Sequence, residues 1–518
     1  GDITVDTGVT LVIQAGVKVL FLANSDDQSS GQRLSDSELL VKGTLSVLGT
    51  AEAPVVLSSS NADAAAGDWG GIYLDQNASL TLNYARMSYT GYGIDSGNVD
   101  IGSVDITHSR LEFSGGGIYL RGGQQDSTRV VTDNVISVGT SGYALHLYLC
   151  CNNQASLPNL SRNVITNPQG AGIFVNQARQ GITIDSNTIA VRSEALQLGY
   201  AAGAIAVTSN VLENTLTASE CCGGSGIYIY GLIATGGPDN AITSITLQNN
   251  TIKKFSPGLY VDGDGETVLS SVTGNSVEDA RGTGMSIYNL QGTIITGNTV
   301  MGSGSAGINL QNSVPSAFKG NVITGNGANS RQPGLYVAHN NAELSESFLI
   351  ENNDLSGNYI GIELREFANA VVKGNDLSGN TSYGLNNLTT NAIDARYNYW
   401  GLVETTTLDE GGHPKALSFI YDGLDDSQYG SVNYAGWQAV SSFDVPDNDV
   451  DGDGITNDVD NCADVANADQ SDIDGDGVGD ACDTDADGDG LPNTSDAFPL
   501  VSIEGYTDTD GDGRPDDC

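Results

Sequence analysis

A unit of 22–25 residues repeats along most of the chain and constrains the fold more than any other feature. Its first half reads glycine, Ile or Leu, a variable residue and an apolar residue, as in Gly226-Ile-Tyr-Ile and Gly334-Leu-Tyr-Val. Its second half places an asparagine before an alternating segment, and these asparagines stand at positions 134, 163, 187, 210, 250, 275, 298, 321, 353, 375 and 398. A fixed period of this size, with occasional insertions, is typical of a solenoid whose repeats pack on their neighbours.

Both halves of the unit alternate apolar and polar residues, which is the pattern of half-buried strands. Each unit would hold two or three short strands separated by Gly, Asn, Asp or Ser, and no helical stripe of useful length is visible. Stacked coils pair each strand with its copies above and below at about 4.8 Å. We therefore predict an all-β parallel solenoid with apolar residues inside, in which the fixed asparagines form a hydrogen-bonded ladder.

Segments at both ends of the repeats are similar to the capping coils of bacterial surface proteins. The N-terminal segments are Gly8–Gly16, Val41–Thr50 and Asp68-Trp-Gly-Gly-Ile72, and the C-terminal segment is Ala395-Arg-Tyr-Asn-Tyr-Trp-Gly401. Together with the repeat, they make residues 1–440 resemble the right-handed parallel β-helix, or pectin-lyase-like, superfamily. The resemblance implies a right-handed solenoid, but the superfamily holds lyases, hydrolases and epimerases as well as adhesins and inert rods, so it does not assign a function.

The chain carries 20 Lys and Arg against 64 Asp and Glu, which gives a formal net charge of −44. Binding to nucleic acids or to anionic membranes depends on basic groups, so this charge argues against both kinds of partner. No run of about 18 apolar residues exists, so we expect no transmembrane helix. Half of the net charge, −22, falls in residues 447–518, which hold 23 acids and one base.

This change in composition near Pro446 predicts a boundary between two domains of different chemistry. The resemblance divides the first into opening coils at 1–100, a core of about eleven coils at 101–400, and an exit coil and linker at 401–446. Residues 447–518 form the second.

The second domain repeats a pattern of oxygen-bearing residues at alternate positions. In Asp449-Val-Asp-Gly-Asp-Gly-Ile-Thr-Asn-Asp-Val-Asp460, carboxylates occupy positions 1, 3, 5 and 12, the backbone carbonyl of Ile455 stands at position 7, and Asn457 stands at position 9. Hard oxygen ligands with this spacing suit Ca²⁺, and no zinc-type ligands accompany them. Four such loops predict these calcium ligands: Asp449, Asp451, Asp453, Ile455, Asn457, Asp460, Asp472, Asp474, Asp476, Val478, Asp480, Asp483, Asp485, Asp487, Asp489, Leu491, Asn493, Asp496, Asp508, Asp510, Asp512, Arg514 (by its carbonyl) and Asp516.

Residues 460–483 closely resemble a thrombospondin type 3 repeat, and the resemblance extends over 447–518. It implies several Ca²⁺ ions, mainly structural, and a disulfide between Cys462 and Cys482. No flanking helices are visible, which distinguishes the loops from EF-hands. Because the segment is acidic and poor in apolar residues, we expect it to be disordered without metal. We also expect the repeat series to continue beyond Cys518.

Two vicinal cysteine pairs, Cys150-Cys151 and Cys221-Cys222, lie in irregular stretches that follow the coils. Disulfides between these two loops are our first interpretation, and vicinal disulfides are the second. A Cys₄ metal site is a third alternative. Disulfides of either kind indicate an oxidising, extracellular location.

The variable position of the repeat points away from the core, because successive strand residues point to opposite faces. Read down the stack, this face is rich in Tyr, Asn and Gln, which can hydrogen-bond sugars or dock a protein. The alternative is that tyrosine simply favours exposed strand positions. The candidate binding residues are Tyr119, Phe174, Tyr228, Tyr230, Tyr260, Tyr288 and Tyr336.

Candidate catalytic residues are few. The best cluster is Glu363, Arg365 and Glu366, because paired carboxylates beside a base can do acid–base chemistry. The alternative interpretation is a set of solvated charges on an exposed strand. No serine hydrolase, zinc protease or phosphate-binding motif is present.

These features predict a secreted or cell-surface bacterial protein, stiffened by calcium, with a structural or adhesive role. Its partner would be a polysaccharide, a surface protein or further copies of itself in a filament. The alternative is a polysaccharide lyase or hydrolase that acts on the exposed coil face.

Overall fold

The structure is a computed structural model of the chain. It describes residues 2–23, 25–26, 35–122, 127–149, 157–217, 223–232, 242–263, 269–344, 347–441, 443, 460–462, 465, 467, 470–494, 499–500 and 502. The chain divides into two compact units, Gly1–Val440 and Ser441–Cys518.

The first unit is built from three stacks of parallel strands, which we call sheets 1, 2 and 3. Sheet 1 has sixteen strands among the described residues: Thr10–Gln14, Thr44–Leu48, Ser79–Asn83, Val104–Thr107, Arg129–Thr132, Asn159–Ser161, Gly181–Asp185, Gly203–Thr208, Ile242–Gln248, Leu269–Thr273, Ile294–Thr296, Ala317–Lys319, Phe348–Glu351, Ala370–Lys373, Ile393–Asp394 and Val432–Asn433.

Sheets 2 and 3 share the long strand Ala85–Asp95 and therefore form one hydrogen-bonded sheet. The other strands of sheet 2 are Lys18–Phe21, Val55–Ser59, Arg110–Phe113, Val135–Val138, Val164–Asn167, Thr188–Val191, Val211–Asn214, Thr251–Lys253, Ser276–Glu278, Thr299–Met301 and Val322–Thr324. The other strands of sheet 3 are Ile3–Val5, Glu38–Val41, Trp69–Leu74, Ile118–Arg121, Tyr143–Tyr148, Ala171–Asn176, Leu196–Gly199, Ile227–Tyr230, Leu259–Asp262, Met285–Tyr288, Ile308–Gln311, Pro333–His339, Ile360–Glu366, Tyr383–Thr389 and Ile420–Tyr421.

Each coil passes through sheets 1, 2 and 3 in turn, and each strand pairs in parallel with its copies in the neighbouring coils. The predicted all-β parallel solenoid is confirmed. Inward-facing Leu, Ile and Val from all three sheets fill one continuous core, and many of them have no exposed surface. Towards the N-terminal end, the rings of Phe21 and Trp69 stack in this core with their centroids 4.1 Å apart.

The asparagines of the repeat lie where the chain turns from sheet 1 into sheet 2. Each side-chain amide, from Asn134 upward, donates to Oδ1 of the asparagine in the next coil at 2.9–3.0 Å, and the ladder ends at Asn398. All eleven are at most 1% exposed. The residue before each one is in the left-handed conformation, for example Asp133 and Gly297. The predicted ladder is confirmed, and it satisfies buried polar groups that would otherwise destabilise the turn.

The glycine that precedes most sheet 3 strands of the repeat is required by close packing between coils. A Cβ added at Gly258 would lie 2.5 Å from Val277 Cγ1 and 2.6 Å from the carbonyl oxygen of Gly284. The same glycine occupies this place in the following coils, which explains why the repeat begins with it.

The last coils depart from the regular pattern. Sheet 2 is reduced to single bridges at Asp354, Asp376 and Tyr399. The α-helix Leu402–Asp409 follows, and a short 3₁₀-helix lies earlier at Ala342–Leu344. The helix Leu402–Asp409 lies outside the repeat units, for which no helix was predicted. This helix lies after the last ladder asparagine, where the repeat no longer dictates strands.

The described residues of the second unit form turns and bends, with no strand or helix. A disulfide joins Cys462 to Cys482, the pair that the thrombospondin type 3 resemblance implies.

Candidate functional site

The outward face of sheet 3 carries two columns of side chains in register. In column A, the variable residue of each repeat lies opposite that of the next coil: Tyr119, His146, Phe174, Gln197, Tyr228, Tyr260, Ser286, Asn309, Tyr336, Glu363 and Asn386. Column B lies two residues further along each strand and includes Arg121, Tyr148, Asn176, Gly199, Tyr230, Asp262, Tyr288, Gln311, Ala338 and Arg365. All seven aromatic residues predicted for a binding face lie in these columns and are partly exposed.

Rings in adjacent coils pack on each other along the columns. The centroids of Tyr228 and Tyr260 are 4.8 Å apart, and those of Tyr260 and Tyr288 are 5.2 Å apart. Further towards the N-terminus, His146 stacks on Phe174 at 4.7 Å and meets Tyr119 edge-on at 4.8 Å. Because neighbours cover much of the ring faces, the tyrosines present mainly ring edges and hydroxyl groups to a ligand.

The hydroxyl groups belong to a hydrogen-bond network across several coils. Tyr143 Oη donates to Gln197 Oε1 at 2.5 Å, and Gln197 Nε2 donates to Tyr230 Oη at 3.3 Å. Asn309 Nδ2 donates to Tyr288 Oη at 3.1 Å. We name Tyr143, Gln197, Tyr228, Tyr230, Tyr260, Asp262, Tyr288 and Asn309 the tyrosine patch. Tyr143 is absent from the predicted binding residues, because it lies three residues before the variable position of its coil, His146.

Burial and nearby carboxylates raise the pKa of four phenols in this patch. Burial, with Glu194 and Tyr230, raises the pKa of Tyr143 to about 12. Burial, with Asp262 as the main neighbour, raises the pKa of Tyr260 to about 12. The pKa of Tyr228 and that of Tyr288 are raised for the same kinds of reason. The hydroxyls therefore stay protonated at physiological pH and remain able to donate hydrogen bonds.

The candidate catalytic residues lie near the C-terminal end of the same face. Glu363 is only 6% exposed; its Oε1 accepts from Arg365 Nε at 2.6 Å and its Oε2 accepts from Asn386 Nδ2 at 2.9 Å. Tyr336 lies opposite Glu363 in the preceding coil. Glu363 therefore differs from the alternative expectation of a solvated charge, whereas Arg365 and Glu366 are exposed. Asn386, which was not among the predicted catalytic residues, completes the cluster.

In the second unit, the loop 472–483 gathers carboxylates. Oxygen atoms of Asp472, Asp474 and Asp476 lie within 4.8 Å of one another. Backbone amides hold this arrangement: Gly477 N donates to Asp472 at 3.1 Å, and Val478 N donates to Asp476 at 2.7 Å.

The next loop, 485–496, repeats this geometry in its described residues. Oxygen atoms of Asp485, Asp487 and Asp489 also lie within 4.8 Å of one another. Gly490 N donates to Asp485 at 3.0 Å, and Leu491 N donates to Asp489 at 2.9 Å, so each bond has its equivalent thirteen residues earlier. The recurrence indicates that both loops have the same conformation and the same arrangement of carboxylates.

Position 9 of each loop fixes the backbone. Asp480 accepts from the amide of Ile473 at 2.9 Å and from Ser471 Oγ at 2.6 Å. Asn493 likewise accepts from the amide of Ala486 at 3.0 Å. Both residues are predicted calcium ligands, and these bonds also give them a role in holding the loop.

The donor sets fit a hard divalent cation. Three carboxylates at close range repel one another, and residues 460–494 contain no Lys or Arg to neutralise them. Asp485 Oδ1 and Asp460 Oδ2 are buried and have no hydrogen-bond partner among the described residues. Repulsion and desolvation raise the pKa of Asp474: the hydrogen bond from the Asp476 amide lowers it, but burial and neighbouring carboxylates outweigh that bond.

Several predicted site residues lie outside the described residues. These are the calcium ligands Asp449, Asp451, Asp453, Ile455, Asn457, Asp496, Asp508, Asp510, Asp512, Arg514 and Asp516, and the cysteines Cys150, Cys151, Cys221 and Cys222. The remaining predicted position-7 and position-12 ligands are described, and they are Val478, Leu491, Asp460 and Asp483. The carboxylate of Asp483 accepts from the amide of Asp485 at 2.8 Å, and that of Asp460 accepts from the amide of Cys462 at 2.8 Å.

The fold and the loops define a parallel β-solenoid joined to aspartate-rich repeats. Family models agree: residues 231–399 match the right handed beta helix region, residues 1–122 match the pectate-lyase like beta helix domain, and residues 444–470 and 471–503 match the thrombospondin type 3 repeat. The chain is therefore a right-handed parallel β-helix repeat protein with thrombospondin type 3 repeats at its C-terminal end.

Two further comparisons add little. A search of curated proteins found no significant match. Among solved structures, the crystal structure of a mutant of the periplasmic alginate epimerase AlgG is similar, with 12% sequence identity, a TM-score of 0.31, and coverage of 76% of this chain and 85% of that chain. Within the described part of the chain, no helix combines the length and apolarity needed to cross a bilayer.

Proposed function

We propose that this protein is an extracellular, calcium-stiffened structural or adhesive protein of a bacterial surface, and that the outward face of sheet 3 binds glycans. The observation that carries the proposal is the unbroken register of column A, which aligns hydroxyl, amide and aromatic groups over many coils, with column B beside it. Sugars offer hydroxyls for such groups, and an extended chain of sugars would follow the axis of the solenoid. Other partners on this face would be a surface protein or another copy of the chain.

The tyrosine patch supplies the sharpest test of glycan binding. We expect the full chain to bind members of a glycan array, and we expect Tyr260→Phe to weaken binding about threefold to tenfold, since the hydroxyl rather than the covered ring face makes the contact. Val211→Ala, at an exposed position on sheet 2, is the matched control and should bind normally. Loss of binding in both variants, or in neither, would count against this face.

Calcium is the second part of the proposal. Asp472, Asp474 and Asp476 in one loop, and Asp485, Asp487 and Asp489 in the next, would hold one Ca²⁺ each, and the carboxylates would lose their mutual repulsion on binding. The thrombospondin type 3 match supports this assignment and an extracellular location, where calcium is abundant. The ions would be structural, because they would join carboxylates that lie close together in sequence.

Titration calorimetry of the full chain tests the calcium sites. We expect Asp485→Asn to remove about one bound ion, while Glu112→Gln, which removes a charge from the exposed face of sheet 2, leaves the count unchanged. An unaltered ion count in Asp485→Asn would show that this loop is not a site.

A polysaccharide-active enzyme is the second candidate function, and the Glu363 cluster favours it. A buried carboxylate, a guanidinium and a tyrosine in register are a set that could act on a glycosidic or uronate bond. Reducing-end and unsaturation assays on plant and bacterial polysaccharides test it. Turnover that is lost in Glu363→Gln and kept in Glu351→Gln, a charged residue of sheet 1, would establish the enzyme.

A further inference from the structure

The tyrosine patch carries a net negative charge. Its members include one carboxylate, Asp262, and no Lys or Arg. Burial is the largest cause of the raised pKa of Tyr228, Tyr260 and Tyr288, and the negative charge of Asp262 adds to it in all three. The charge of the nearby Glu194 adds to it at Tyr228. Among the described residues, neither Asp262 nor Glu194 forms an ion pair. A ligand lying on the patch would therefore meet a negative potential that no adjacent cation cancels.

The basic residues of the two columns lie at the ends of the face and are already engaged. Arg121 donates to the carbonyl oxygen of Asn98 at 2.9 Å and lies 5.6 Å from the ring centroid of Tyr148. Arg365 is paired with Glu363. Recognition of a ligand carboxylate usually employs a free guanidinium or ammonium group, because a charge-assisted bond must replace lost hydration. The patch offers no such group.

The neutral polar groups of the patch suit hydroxyl ligands. Phenol hydroxyls and carboxamides can each donate and accept, and so can the hydroxyl groups of a sugar. Asp262 accepts from Asn289 Nδ2 at 2.8 Å and, as an acceptor with further lone pairs, can take a hydrogen bond from a ligand hydroxyl. It would repel a ligand carboxylate at the same place.

Building on the proposed glycan-binding function, we infer that the tyrosine patch selects neutral, hydroxyl-rich glycans and discriminates against polyuronates. A uronate residue placed over Asp262 would bring two carboxylates together without a basic group between them. Both carboxylates would lose water, and no ion pair would compensate for that desolvation.

An array of matched oligosaccharides tests the inference. Each pair would share linkage and length and differ only in whether C6 is a carboxylate or a hydroxymethyl group, as in an oligogalacturonide and its carboxyl-reduced form. The full chain would be assayed at one fixed calcium concentration. We expect the neutral member of a bound pair to bind at least about tenfold more tightly.

Asp262→Asn tests the physical cause, because asparagine keeps an acceptor for Asn289 and removes the charge. We expect the neutral-to-uronate ratio to fall at least about threefold in this variant, and to stay unchanged in Glu112→Gln on sheet 2. A uronate that binds as tightly as its neutral partner would overturn the inference but leave the glycan-binding function standing. An unchanged ratio in Asp262→Asn would also overturn it. Binding of no glycan at all would instead refute the proposed function.

Discussion

Removal of calcium should unfold residues 460–494 and leave the solenoid intact. Each of the two described loops holds three carboxylates within 4.8 Å of one another. Extracellular loops of this kind bind with a dissociation constant of about 0.1–1 mM. At about 10 mM calcium, each ion would then stabilise the folded segment by about 1.4–2.7 kcal/mol, or about 3–5 kcal/mol for the pair.

Little else stabilises this segment. Among its described residues, Cys462 and Ala486 are the buried apolar ones, so the hydrophobic contribution is small. The disulfide closes a loop with a separation of 20 residues and contributes about 3 kcal/mol by restricting the unfolded chain. Loss of the two ions would therefore remove a stabilising free energy at least as large as that of the disulfide, and would restore the repulsion between the carboxylates.

Limited proteolysis with and without a chelator, followed by mass spectrometry, measures the effect. We expect cleavage within 470–494 to accelerate at least about 100-fold on chelation, as follows from a loss of about 3 kcal/mol when opening is fast. Cleavage of the coil strands is the internal control and should not change. Protection of 470–494 that persists in the chelator would refute the calcium argument.

Four further outcomes are expected. Asn275→Ala should destabilise the solenoid by about 2–5 kcal/mol in denaturant unfolding. The backbone and side-chain amides of Asn250 would lose their acceptor, and the carbonyl of Leu247 would lose a donor. The control Asn61→Ala, at an exposed position, should change the free energy of unfolding by less than about 0.5 kcal/mol. Gly258→Ala should cost about 1–3 kcal/mol in the same assay, since its Cβ would press on Val277 and the next coil. Burial lowers the pKa of His146 to about 4, below its unfolded value near 6.5. As the pH falls from 6.5 towards 4 only the unfolded state gains the proton, so stability should drop by about 1–2 kcal/mol after allowance for partial exposure, and His146→Phe should abolish that part of the pH dependence.

The sequence predicted the features that depend on periodicity. The asparagine ladder and column A follow from a fixed repeat, because equal coil lengths place equivalent residues above one another. The aspartate clusters Asp472–Asp476 and Asp485–Asp489 were also predictable, since the spacing of carboxylates within one loop is local. The family resemblance supplied the handedness and the disulfide pair, neither of which follows from spacing.

Other features depend on contacts between distant positions and could not be predicted. The bond from Tyr143 to Gln197 spans two coils and 54 residues. The burial of Glu363 involves Asn386 from the next coil, and the helix Leu402–Asp409 lies where the repeat pattern no longer applies. The hydrogen bonds by which Asp480 accepts from Ile473 and Ser471 fix the loop, and they do not follow from the ligand spacing.

Hydrogen exchange of the full chain with a saturating glycan from the array tests the central claim most directly. We expect slower exchange in peptides that contain the sheet 3 strands Ile227–Tyr230, Leu259–Asp262 and Met285–Tyr288, with unchanged exchange in the sheet 1 and sheet 2 strands of the same coils. Protection on sheet 1 or sheet 2, or protection confined to residues 460–494, would contradict a glycan-binding face on sheet 3.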